Sequence, residues 1–204
     1  MFSLIQAAGW PVWFLIVASL VAVALIVERF ISLRRSTIMP PGLLEEVLLL
    51  IKNRQVSPEL VGKLERSSPL GRILAAGLNQ AGGGKPAVRE AMEDAGRAVN
   101  HDLGRYLSAL GTIASVAPLM GLFGTVVGMI EIFGSQAPTG LDPERLAYGI
   151  SVALYNTALG ILIAIPALIC YRHFRARVEG YMTDMEQQAV RLGDSLARLA
   201  AERR

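Results

Sequence analysis

The sequence predicts an all-α membrane protein with three transmembrane helices, the second and third extended into a cytoplasmic helical bundle. Three observations lead there. The 204 residues are 52% hydrophobic and only 18% charged, with a mean hydropathy of +0.44, whereas soluble domains carry about 25% charged residues. The charges are unevenly spread, with none from Met1 to Val27, Tyr106 to Ile130 or Leu146 to Tyr171. Each of these runs exceeds the ~20 residues that a helix needs to cross a hydrocarbon core of about 30 Å. Between and after them, apolar residues recur every three or four positions, the spacing of a helix that buries one stripe.

Residues 1–30 form the first transmembrane helix. A cleaved leader would need a positive amino-terminal region and a small-residue cleavage site. This run has no Lys or Arg before Arg29 and ends in "VERFISLRR". Residues 31–105 form a cytoplasmic helical region. Pro40-Pro41 breaks the chain ahead of an amphipathic "LLEEVLLLIK", and Pro58 and Pro69 open two more short helices, since proline suits a first turn. "QAGGGKP" is expected to act as a hinge. It is not a phosphate-binding loop, because Asn79 and Pro86 stand where that motif needs glycine and a hydroxyl residue.

Beyond Pro86, the series Val88, Met92, Ala95, Val99, Leu103, Tyr106, Leu110 makes a coiled-coil-type seam. No proline interrupts it before Pro118, so a long cytoplasmic helix is expected to run on into the second span, 106–134. A short outer loop, 135–145, leads to the third span, 146–171, and a tail helix, 172–204. The tail carries its own seam of Val178, Met182, Met185, Ala189, Leu192, Leu196 and Leu199, expected to pack against the first.

Orientation follows from the basic residues. The stretch Arg29 to Arg105 holds twelve Lys/Arg and the tail from Arg172 seven, against one (Arg145) in the 135–145 loop. The positive-inside rule then puts the amino terminus and that loop outside, and the carboxy terminus in the cytoplasm. Trp10, Trp13 and Tyr148 suit interfacial anchors. The net charge of +3 reflects basic cytoplasmic flanks that attract membrane lipid, not a nucleic-acid surface. The lone Cys170 excludes an internal disulfide and argues against a cysteine metal site. No nucleophile has a base beside it, so no enzyme, cofactor or metal is expected.

The second span contains "MGLFGTVVGMIE". Gly121, Gly124 and Gly128 permit close helix packing. Glu131 lies seven residues after Gly124, within about 20° of its face, and is expected to extend that seam. In the third span Gly149, Val152, Asn156 and Gly160 share a face with Thr157 beside it. Thr125 and Thr157 fall about 15 and 18 Å below the outer loop if the helices are straight, with Pro118 and Pro166 placed to bend them. Threonines in a span often bond only their own backbone, and an asparagine can bridge two helices. A hydrated path is the other reading, and it lacks a titrating group, since neither hydroxyl nor amide ionises near neutral pH.

The stretches "LGTIASVAPLMGLFGTVVGMIEIF" and "GISVALYNTALGILIAIPAL", with the "VERF" ending of the first span, resemble the proton-channel family of ExbB, TolQ and MotA. Three spans with a short outer loop are most similar to ExbB, with TolQ next. The resemblance implies a homopentamer in the inner membrane around two helices of an ExbD-like partner. A partner aspartate would carry the proton, and a TonB-like protein would pass on the work. It also gives Thr125 and Thr157 pore-facing roles, with Asn156 beside them. Many relatives carry a glutamate five residues before the second threonine; here that position is Val152. Glu131 is expected to serve in gating or between subunits rather than as a simple replacement.

Overall fold

The computed structural model describes residues 9–134 and 143–201, without the side chains of residues 145 and 200. Among the described residues there is no strand. Helix α1 is Pro11–Ser32, followed by α2 (Arg35–Ile38), α3 (Leu43–Lys52), α4 (Pro58–Ser67) and α5 (Pro69–Asn79). A 3₁₀ turn, Ala81–Gly83, leads into α6 (Gly84–Gly104), α7 (Leu107–Gly134) and α8 (Pro143–Ala201). Among the described residues, three helical stretches are long and apolar enough to cross a membrane. The protein is an all-α, multi-pass membrane protein.

The long helices run as expected. The second stretch, 81–134, passes from α6 into α7 through Arg105, whose backbone is helical and whose N–H reaches the Asp102 carbonyl at 3.4 Å. The glycine run forms a compact 3₁₀ turn and leaves through Gly84 at φ +83°, a left-handed conformation open to glycine. The third span and tail form one helix of 59 residues. Residues 1–8 of the first span and 135–142 of the outer loop lie outside the described residues.

The chain divides into two compact units. One comprises residues 1–29 and 106–173, the apolar helices; the other comprises 30–105 and 174–204. In the second unit, proline-led α4 and α5 are capped by Ser57, which accepts from the Leu60 N–H, and Ser68, which accepts from Gly71. Such caps satisfy amide groups that a first turn leaves open. α6 buries Val88, Met92, Val99 and Leu103, and the tail buries Val178, Tyr181, Met185, Ala189 and Leu192. The two seams meet over α5: a methyl at Gly77 would touch Met92 at 2.7 Å and Leu192 at 3.5 Å. Tyr181 takes the buried place expected of Met182, because its hydroxyl donates to the Leu33 carbonyl at 3.0 Å. Phe30 and Phe174 meet edge to face at 4.9 Å. Lys85–Asp194 at 3.0 Å and Arg72–Asp102 at 2.8 Å tie the exposed rims.

Candidate functional site

The site is built on the seam between α7 and α8 in the apolar unit. α7 buries Leu107, Leu110, Ala114, Ala117, Gly121 and Gly124, alternating steps of three and four. Opposite it, α8 buries Val152, Ala153, Asn156, Gly160, Ala164 and Ala167. The helices run antiparallel and approach at backbone level. A methyl at Gly121 would come within 2.6 Å of the Asn156 carbonyl oxygen and 3.0 Å of the Thr157 Cα. One at Gly160 would come within 2.5 Å of the Ala117 carbonyl oxygen. Further towards Gly134, Gly128 faces Ala153 and Gly149 faces Ile132. In a lipid environment, helices gain attraction from such close packing rather than from expelling water. Both helices persist through Pro118 and Pro166.

Polar groups sit within this seam. Asn156 is fully buried, and a methyl at Gly124 would lie 2.9 Å from its side chain. It was expected either beside a pore or bridging two helices; the structure buries it between α7 and α8, where Gly124 leaves room for its amide. The two threonines differ. Thr125 is half-buried and its hydroxyl donates to the Leu122 carbonyl at 2.6 Å. Thr112, Ser115 and Ser151 likewise bond their own helix. The Thr157 Oγ1 is buried and has no hydrogen-bond partner, a state that costs about 1–3 kcal/mol.

Helix α1 covers the other side. Val12 packs on Val152 with Leu159 alongside, and Leu15 packs on Ala117 and Ala164 with Met120 alongside. Trp10 meets Phe123 edge-on at 5.9 Å, well within the apolar length of α7 rather than at its end. Each threonine follows by five residues a side chain turned to α1, Met120 for Thr125 and Val152 for Thr157. Five residues is about 140° of helical rotation. Both threonines therefore lie on the face directed away from α1. Gly121 stands opposite Thr157, so Thr125 is four residues, about 6 Å, nearer the Gly134 end.

Val152 and Glu131 depart from their expected places. Val152, named among the pore-lining positions, is 7% exposed and sealed against Val12. Glu131 is exposed and does not extend the seam; Ile132 makes the contact with Gly149 instead, because the stripe takes a step of four after Gly128. Sequence reasoning missed Val12, since nothing local marks one valine among many as the cover of another. It also missed Arg29, which is 4% exposed, pairs with Glu28 at 3.0 Å and stacks 5.0 Å from the Tyr106 ring centre. A charge inside "VERF" was the available signal, since a buried arginine needs a carboxylate or an aromatic face. No group of three or more His, Cys, Asp or Glu among the described residues could hold a metal ion.

The seam is thus a tight helix pair with two hydroxyls on one face and no carboxylate of its own between them. The sequence that builds it matches known proteins. The model of the MotA/TolQ/ExbB proton channel family matches residues 65–187. An ExbB-like biopolymer transport protein of Synechocystis is 32% identical over 163 residues, covering 78% of this chain and 77% of that one. The biopolymer transport protein exbB1 of Vibrio cholerae is 33% identical over 171 residues, covering 80% and 74%. ExbB of Helicobacter pylori is 45% identical over 75 residues, covering 36% and 52%. On the extent of these matches, the chain belongs to the MotA/TolQ/ExbB proton channel family and is similar to the ExbB biopolymer transport proteins within it.

Proposed function

We propose that this chain is an ExbB-like motor subunit that couples inward proton flow, with an ExbD-like partner, to TonB-dependent transport at the outer membrane. The observation that carries the reading is the shared face of Thr125 and Thr157. Two hydroxyls flank a glycine seam there, and no group on that face titrates near neutral pH. A carboxyl brought by another chain completes such a site. Five copies in the inner membrane would enclose two partner helices, with the amino terminus periplasmic and the carboxy terminus cytoplasmic. Protonation neutralises a partner aspartate and lets its helix leave the hydrated face; deprotonation recharges it. No catalytic chemistry on a substrate is involved.

Two further readings are kept. A TolQ-like role in envelope constriction has the same membrane chemistry and differs in its partners. A non-conducting scaffold is favoured by one observation, the sealed Val12–Val152 pair at the position where the family resemblance implies a glutamate. Native mass spectrometry of the chain co-expressed with its single-span partner tests the assembly, with a five-to-two complex expected. Proton flux in vesicles then separates motor from scaffold. A partner-bound ring that carries no protons would sink the motor reading.

A further inference from the structure

The two threonines have spent their hydrogens differently. A hydroxyl has one hydrogen to donate and two lone pairs to accept with. Thr125 has committed its hydrogen to the Leu122 carbonyl at 2.6 Å, so towards any other group it can only accept. Thr157 has committed nothing. Threonine in a helix usually divides between two χ1 wells because its hydroxyl can bond a carbonyl one turn back. Thr157 takes neither bond, so its hydrogen is unspent. The residue lies on the face away from α1, and a change of χ1 well, about 120°, is the motion that would offer that hydrogen there.

We propose that the two hydroxyls recognise opposite protonation states of a carboxyl passing this face: Thr125 accepts from the neutral acid, and Thr157 donates to the carboxylate. The inference rests on the reading above, that a partner carboxyl visits the site. A neutral acid carries an O–H that needs an acceptor. A carboxylate offers only lone pairs and needs a donor, and towards it Thr125 would first have to break its bond to Leu122. The spacing gives the two states separate stations, since Thr125 lies about 6 Å nearer the Gly134 end. Neutral acid is held at one level and carboxylate at the next.

Few other charges bear on this face. α1 has no ionisable group between Pro11 and Val27 and packs on the opposite side. In α7 the one carboxylate is Glu131, about 9 Å along the helix from Thr125. Tyr155 is the nearest titratable side chain on α8, two residues and about 160° of rotation from Thr157. Tyr148, Cys170 and Tyr171 lie two turns or more away along α8.

The test is the pH profile of proton flux in vesicles holding the complex with its partner, for Thr125→Val, Thr157→Val and the two serine variants. Losing the donor handicaps the carboxylate, so Thr157→Val should move the half-maximal point to higher pH. Losing the acceptor handicaps the acid, so Thr125→Val should move it to lower pH. Each shift should be about tenfold in proton concentration, the scale of one hydrogen bond favouring one state. Serine at either position should restore the profile. Shifts of the same sign, or lower flux at an unmoved midpoint, would overturn the division of labour while leaving the channel reading intact. A wild-type complex without flux would remove both.

Discussion

The apolar unit and the charged unit both pack helices through stripes spaced three and four residues apart, yet they fill those stripes oppositely. The charged unit interdigitates large side chains, such as Met92 with Leu192 over α5. Water drives that arrangement, because burying such groups removes apolar surface from solvent. The apolar unit brings Gly121 and Gly160 against bare backbone, and around these glycines large residues of α7 stay outside: Leu119, Leu122, Phe123 and Ile130 are all exposed. Lipid gives no reward for hiding a leucine, so the seam is held by close contact and by polar groups. One periodicity therefore serves two solvents, and residue size tells which solvent is present.

The comparison can be broken most severely at Gly121. Gly121→Leu should abolish the α7–α8 contact, since even a methyl would meet the Asn156 carbonyl at 2.6 Å. The expected result is loss of folded protein in detergent by size-exclusion chromatography. Leu192→Ala in the charged unit should lower stability by about 2–5 kcal/mol, read as a lower Tm in detergent. A Gly121→Leu protein that elutes and melts like wild type would mean that backbone approach does not hold the membrane pair.

A finer test couples two positions. Gly124→Ala should destabilise because its methyl meets the Asn156 side chain at 2.9 Å. Combined with Asn156→Ala it should cost less than the sum of the single changes, with an interaction of about 0.5–3 kcal/mol in a double-mutant cycle. Strict additivity would mean that the amide beyond Cβ, which Asn156→Ala removes, takes no part in the contact. The smallest effect is expected for Tyr181→Phe, which forfeits the bond to the Leu33 carbonyl for about 0.5–1.5 kcal/mol. That variant should shift the unfolding midpoint without altering proton flux.

The charge-free runs revealed the three long helices because length and hydropathy are local properties. The threonines and glycines were legible for the same reason, their positions along a helix being set by its period. Which helix covers which face was not. Val152 looked available until Val12 was found against it. Glu131 looked aligned with Gly124 by a seven-residue step, but the packing advances by four after Gly128 and selects Ile132. Asn156 illustrates both sides: its polarity marked it, yet only the neighbouring glycines explain why it is buried.

The Val12–Val152 contact restricts what position 152 can hold. A glutamate at 152 would press a carboxylate against Val12, at about 2.5–3.5 kcal/mol if it were central in the bilayer and less towards its edge. Smaller or polar residues at 12 would relieve that burden, but each alone would leave a gap beside a valine. The two positions are therefore coupled: what stands at 12 decides what 152 can hold, and a charge at 152 calls for a second change across the helix contact.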